Sequence, residues 1–143
     1  MTEIKKTDFH DAKAMEEAKR IRIEVFVKEQ NVPFEEDWDG LESENYLAFC
    51  DSEAVGTMRW RETENKIKIE RVCVLKPYRG RKIAEHMLEK ALEDIRKSYP
   101  GKEVFLHSQL AALSLYKRLG FKQYGELFYE AEIPHYAMRL EKE

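Results

Sequence analysis

The residues with the most chemistry to offer lie in one run, Arg71-Val72-Cys73-Val74-Leu75-Lys76-Pro77-Tyr78-Arg79-Gly80-Arg81-Lys82-Ile83-Ala84. An apolar strand enters a basic turn containing a glycine, and the turn opens an amphipathic helix. The first amides of a helix have no intrahelical acceptor and sit at the positive end of its dipole, so such a start binds phosphate. Arg79, Arg81 and Lys82 add full positive charge, which suits a pyrophosphate. The same pattern also describes a merely solvated basic helix start. Two phosphate signatures are missing: the Gly-Lys-Ser/Thr end of the nucleotide loop and the G-x-G-x-x-G dinucleotide turn, which argues against ATP and NAD. A second run, Gln109-x-x-Ala112-x-x-Leu115-Tyr116 followed by Gly120-Phe121, places a phenol on a helix beyond the next strand. The four histidines and two cysteines show no metal-ligand spacing, so no metal is expected. Cys73, in an apolar strand, reads as a small buried hydrophobe rather than a nucleophile.

The elements that must position these residues follow from periodicity. Met1–Lys6 reads as a first strand. Asp8 is a candidate cap for a helix in which Ala14, Ala18, Ile21 and Val25 recur at helical spacing. Residues 21–27 also alternate like a strand, and the long pattern before them favours helix. Asn31-Val32-Pro33 stops it, and Phe34–Glu44 reads as an acidic loop whose carboxylates are solvated or attract a cationic acceptor. Tyr46–Cys50, Ala54–Arg61 and Ile67–Leu75 read as an antiparallel meander. Ile83, Met87, Ala91 and Ile95 stripe a helix. A short strand Val104–Leu106, a helix Leu110–Leu119 closed by Gly120, and strands Phe121–Phe128 and Tyr136–Leu140 complete the chain. The strand-helix-strand unit requires one parallel pair in an otherwise antiparallel sheet.

With 143 residues and no linker-like stretch, residues 1–143 read as one α/β domain. Charges of both signs are interspersed and sum to −3, which disfavours nucleic acid. No apolar run reaches membrane-span length, and the N-terminus lacks a signal-peptide core, so the expected location is cytoplasmic. A C-terminal edge strand leaves monomer and homodimer both open.

The two runs together resemble the GNAT superfamily of N-acetyltransferases. That family carries Gln/Arg-x-x-Gly-x-Gly/Ala after a strand; here Arg79 and Ala84 take the outer positions and Lys82 replaces the middle glycine. Its second signature, Asn-x-x-Ala-x-x-(aromatic or Leu)-Tyr-x-x-x-Gly-Phe, is matched by Ala112, Leu115, Tyr116, Gly120 and Phe121, with Gln109 in place of Asn. Arg22-x-Glu24-Val25-Phe26-Val27-x-Glu29-Gln30, Arg59-Trp60-Arg61, Glu70-Arg71-Val72 and Ile133-Pro134-His135 further resemble a bacterial ElaA/YjcF-like subgroup of acetyltransferases.

The resemblance implies a GNAT-type single domain: a central mixed, mostly antiparallel twisted sheet flanked by helices, with a splayed parallel strand pair. It implies acetyl-CoA as co-substrate and acetyl transfer by direct attack of a primary amine of a small molecule (an amino sugar, a polyamine or an amino-acid-like compound). Val72, Cys73, Val74, Arg79, Gly80, Arg81, Lys82, Ile83, Ala84, Gln109, Ala112 and Tyr116 would hold the cofactor. A main-chain N–H near Cys73 or Val74 would polarise the thioester. Tyr116 would be the acid for the departing thiolate. Glu70, then His107, then His135 are the candidate bases. Phe26, Gln30, Arg59 and His135 would face the acceptor. Each has a structural alternative: Glu70 pairing with Arg59 or Arg71, Tyr116 as a core aromatic. The competing functions are a non-catalytic acyl-CoA-binding or sensor domain and a protein lysine or N-terminal acetyltransferase.

Overall fold

A computed structural model describes residues 2–141. Seven strands form one sheet: β1 (Thr2–Thr7), β2 (Glu44–Cys50), β3 (Glu53–Thr63), β4 (Lys66–Val74), β5 (Val104–Gln109), β6 (Phe121–Glu130) and β7 (Ile133–Leu140). Their order is β1-β2-β3-β4-β5-β7-β6. Every neighbouring pair is antiparallel except β4 with β5. Met1, expected at the head of β1, lies outside the described residues.

One sheet face is covered by α3 (Ile83–Ser98). Its stripe Ile83, Met87, Leu88, Ala91, Leu92 and Ile95 is buried against Tyr46, Val55, Trp60, Ile69 and Leu106. Burying each large aliphatic side chain contributes roughly 1.5–3 kcal/mol. The helix lies close because β3 offers Gly56 beneath it: a Cβ there would stand 3.2 Å from Met87 Cε and 3.3 Å from the Cys73 carbonyl oxygen. The remaining short helix, α4 (Leu113–Arg118), follows a 3-10 turn at Leu110–Ala112, so the single helix expected over 110–119 starts tight. Gly120 closes it at φ +99°, a conformation that favours glycine.

The opposite face is only half covered. There α1 (Ala12–Arg22) packs Ala18 and Ile21 on Leu47, Ala54 and Cys73. The cap is Asp11, not Asp8: its carboxylate accepts from the Lys13 and Ala14 amides, while Asp8 accepts from the His10 amide in the preceding turn. Beyond Arg22 the chain stays helical but widens to π geometry over Ile23–Glu29, which resolves the helix–strand ambiguity of residues 21–27. Wide turns of this kind recur at functional sites. They rotate Phe26 and Gln30 toward the uncovered half of the sheet, where both line a cleft.

Candidate active site

The parallel pair opens partway along its length. Its ladder runs Ile67↔Val104, Lys68↔Phe105 and Ile69↔Leu106 and stops. Beyond it β4 continues to Val74 and β5 to Gln109, unpaired with each other. The resulting cleft has a volume of about 1010 Å³. Glu70, Val72, Cys73 and Val74 line one wall, His107, Ser108 and Gln109 the other, and Gly80, Lys82, Ile83 and Ala84 the end.

The end wall is main-chain. No side chain caps α3, and its first helical bond is donated by the His86 amide to the Lys82 carbonyl. The amides ahead of it face the turn with the dipole behind them. Lys82 stands where a glycine would be easiest, at φ +61° and ψ +25°. The turn therefore forms without the motif glycine, at a cost of about 1–2 kcal/mol. Arg79 does not reach into the turn. Its Nη1 and Nη2 donate to Glu29 at 2.7 and 2.8 Å, and its Nε donates to the Val74 carbonyl at 2.9 Å. It ties the end of the π segment to the end of β4. Arg81 stacks on the Tyr78 ring at 5.2 Å. Gln109 donates to Gln30 at 2.8 Å, closing the gap between β5 and the π segment.

The side wall carries a backbone feature that the sequence did not announce. The β3–β4 register shifts between Thr57↔Cys73 and Arg59↔Glu70, leaving Arg71 and Val72 as an outward bulge on β4. Arg71 sits at φ +58°. Bulges redirect main-chain groups near active sites, and this one turns β4 at the mouth of the splay. Its left-handed backbone is held by the Arg71 side chain, which reaches the Asp37 carboxylate at 3.1 Å and the Asp39 carboxylate at 3.5 Å. A glycine would have signalled the bulge; an arginine hid it.

The loop expected to be solvated is a structural anchor. Phe34–Asp37 forms the one-turn α2. Asp37 is buried, accepting from Arg22 Nε at 3.1 Å as well as from Arg71. Asp39 accepts from Arg59 Nη1 and Nη2 at 2.8 and 2.6 Å. Burial alone would raise the Asp39 carboxyl, but Arg59 outweighs it and holds the group far below the usual carboxylate range.

Glu70 lies in the same network. It accepts from Arg59 Nε at 2.9 Å and from Arg61 Nε and Nη2 at 2.9 and 3.1 Å, with Lys68 Nζ at 3.3 Å. Of the two pairings expected, Arg59 is present; the others are Arg61 and Lys68, not Arg71. Burial would raise the Glu70 carboxyl; the Arg61 hydrogen bond and the charges of Arg59 and Lys68 reverse that and hold it at about 2.

Facing Glu70 across the first open position is His107. Its Nδ1 lies 2.9 Å from Glu130 Oε2. A carboxylate accepts, so Nδ1 carries the proton and Nε2 is left as the basic nitrogen. The ring lies edge-on to Phe128 at 4.9 Å. Donation from His107 holds the Glu130 carboxyl below its usual range. His135 donates Nδ1–H to the Ile133 carbonyl at 2.7 Å and places Nε2 3.8 Å from Glu130 Oε1. Glu130 thus orients His107 and stands near His135, and sequence reasoning missed it because it lies 23 residues from His107. Tyr116 is 7% exposed, edge-on to Phe121 at 5.9 Å, and lines the cleft beside Ala112. Burial raises its hydroxyl pKa, so it stays protonated. Burial also pushes the Cys73 thiol up to about 12, which removes it as a nucleophile.

A splayed parallel pair that runs into an uncapped helix start, with a bulge on the splayed strand, defines an acyl-CoA-dependent N-acyltransferase fold. Residues 8–142 match the Acetyltransferase (GNAT) domain. The chain belongs to that family and is an acyltransferase. It is 39% identical over 127 residues to the uncharacterized N-acetyltransferase YjcF of Bacillus subtilis (strain 168), spanning 87% of this chain and 90% of that one. It is 32% identical to the ElaA protein of Escherichia coli (strain K12), spanning 85% and 84%. The crystal structure of Escherichia coli ElaA superposes with a TM-score of 0.88 at 28% identity, covering 99% of this chain and 100% of that one. An acyl-CoA N-acyltransferase from Pseudomonas aeruginosa superposes at 0.86 with 26% identity, covering 99% and 100%.

Proposed function

We propose that residues 1–143 form a single cytoplasmic N-acetyltransferase domain that moves acetyl from acetyl-CoA to a primary amine of a small molecule in a ternary complex. The observation that carries this reading is the meeting, in one cleft, of the α3 amides, the β4 bulge, Tyr116 and the His107–Glu130 pair. The amides of Gly80–Ala84 would receive the pyrophosphate, with Lys82 adding charge. Val72, Cys73 and Val74 would line the pantetheine arm, opposite Gln109 and Ala112.

The acceptor must be neutral to attack. Free amines have pKa values of about 8–10, so a base is required near pH 7. Among the candidates His107 fits best: Glu130 fixes its tautomer, and Nε2 is left to take the proton. Glu70, held at about 2, is a weak base and serves to order its cationic neighbours. The amine nitrogen then bonds to the thioester carbon. Main-chain N–H groups at the bulge stabilise the oxyanion. As the C–S bond breaks, Tyr116 gives its hydroxyl proton to the sulfur, and the nitrogen, cationic since the attack, sheds the proton that restores the phenol.

The test is a thermal shift followed by thiol release. Acetyl-CoA at about 100 times its Kd should stabilise the protein by roughly 2.7 kcal/mol, with no shift from ATP or NAD. In an amine screen, His107→Gln should lower kcat about 10²-fold with acetyl-CoA affinity retained. No acetyl-CoA shift removes the function. A His107→Gln enzyme with unchanged kcat moves the base elsewhere.

A further inference from the structure

On the uncovered half of the sheet, beside the His107–Glu130 pair, the register sets Arg61 directly opposite Lys68. Like charges facing each other across an antiparallel pair are destabilising. Both are held in a partly buried place, with side chains 24% and 19% exposed. Glu70 lies between them, but it is shared: Arg59 takes it too, from a side chain only 3% exposed. Arg59 is fully committed, with its remaining donors on Asp39. Arg61 is not. It uses Nε and Nη2 on Glu70 and leaves Nη1 without a protein acceptor among the described residues. Lys68 makes one contact, at 3.3 Å.

The wider network shows the same excess. Among the described residues, Arg22, Arg59, Arg61, Lys68 and Arg71 share only Asp37, Asp39 and Glu70 as ion-pair partners. Glu130 also lines this end of the cleft but is engaged by His107, and Glu36 stands on α2, where its carbonyl accepts from Arg71. The corner formed by Arg61 and Lys68 therefore holds two partly desolvated cations on one carboxylate that Arg59 also shares, with Glu130 acting on Lys68 only at longer range, and it faces the cleft.

We infer that the Arg61–Lys68 corner binds an anionic group on the acceptor, a carboxylate or a phosphate, so that the acetylated amine belongs to a small molecule bearing both an amine and an anion. This rests on the transferase reading and narrows its acceptor: polyamines are excluded. A guanidinium beside an ammonium suits either oxyanion. Lys68 is two residues from Glu70, about 7 Å along the strand. Glu70 is level with His107 at the mouth of the splay, so an amine at His107 and an anion at the corner are separated by only a few bonds.

The experiment uses matched acceptors that differ only in the anion: phosphoethanolamine against ethanolamine, 4-aminobutyrate against its amide, and spermidine as the cationic control. Initial rates of thiol release give kcat/KM for each. The phosphate pair and the carboxylate pair separate the two anion chemistries. At least one anionic member should be preferred over its neutral partner by about 10-fold or more. Arg61→Gln should abolish that preference by raising KM while kcat and acetyl-CoA affinity hold. Equal or better turnover of the neutral amines or spermidine overturns the inference, as does a preference that survives Arg61→Gln. If no amine is acetylated although acetyl-CoA raises the melting temperature, the choice of reaction fails separately. Calorimetry on the CoA-loaded protein then decides the anion site: phosphoethanolamine and 4-aminobutyrate should bind more tightly than their neutral partners, and equal binding of both pairs overturns it.

Discussion

At the closed end of the cleft the α3 start offers main-chain amides, and the side chains around it point elsewhere: Arg79 to Glu29, Arg81 to Tyr78. At the open end the surface is made of side chains that hold one another: Arg59, Arg61 and Lys68 on Glu70, Arg22 and Arg71 on Asp37. A ligand common to a whole family can be met by backbone, which every sequence has. A ligand peculiar to one protein must be met by side chains. The difference predicts that substitutions at the two ends fail in different ways. At the open end, loss of a buried ion-pair partner costs stability first, and at the closed end substitutions cost binding or rate with the fold intact.

The largest effect should come from the open end. Glu70→Ala leaves Arg59 buried with half its partners and Arg61 with none, and removing one partner of a buried pair costs about 3–5 kcal/mol. Urea denaturation measures this. The same ion pairs set an acid limit. The Glu70 carboxyl is depressed in the fold, from 4.5 to about 2. Its contribution is therefore complete above about pH 4.5 and is lost as the pH falls toward 2. Wild-type stability should drop through that window, and Glu70→Ala should flatten the drop. An unchanged acid profile would mean that the network is not what holds the open end.

Next in size is Tyr116→Phe. It deletes one hydroxyl from a buried, cleft-lining ring whose packing on Phe121 is retained. Stability should change little, whereas kcat should fall about 10²-fold with acetyl-CoA affinity retained. A large loss of stability with kcat intact would make Tyr116 a core residue and break the contrast between the ends.

That contrast also describes what could be read from the chain. The stripe from Ile83 to Ile95, the glycine-bearing turn and the succession of strands and helices along the chain are local or periodic signals; the insertion of β7 between β5 and β6 is not. The turn is a local pattern, and Tyr116 was singled out by the family signature in which it stands; both line the cleft. The open end was not. Asp39 and Arg59 are 20 residues apart, Arg22 and Asp37 15, and His107 and Glu130 23. Nothing in composition or periodicity pairs them; only the register of β3, β4 and β5 does. An acidic run such as Glu35–Asp39 is usually solvated, and here Arg22, Arg59 and Arg71 drew two of its members inward. The π segment shows the same limit, since one widened turn leaves the helical pattern nearly unchanged.

Arg79 tests whether the closed end relies on backbone alone. Glu29→Gln would release it from a bidentate pair that is about 40% exposed and so contributes little stability. If Arg79 then turns to the phosphates, acetyl-CoA should bind a few-fold more tightly at low salt, while Arg79→Glu should weaken binding about 10-fold, both read by calorimetry. Equal affinities in wild type and both variants would leave the amides as the sole phosphate ligands.

The smallest effect separates the two ends most sharply, because it uses the same backbone conformation twice. Lys82 at φ +61° and Arg71 at φ +58° are both left-handed without being glycine. At Lys82 the side chain is exposed and makes no cap, so glycine removes the steric cost and gives back part of it as unfolded-state entropy. Lys82→Gly should therefore stabilise by about 0.5 kcal/mol, while loss of the exposed charge weakens acetyl-CoA binding by no more than a few-fold, and only at low salt. Arg71→Gly relieves the same strain but strips Asp37 and Asp39 of a cation and α2 of its tether to β4, so it should destabilise by about 2 kcal/mol. Opposite signs from one substitution type would establish that side-chain ion pairs hold the open end in place while the closed end stands on its backbone. If both variants gained stability, the Arg71 ion pairs would contribute nothing net, and the bulge would belong with the α3 turn as a feature of the main chain.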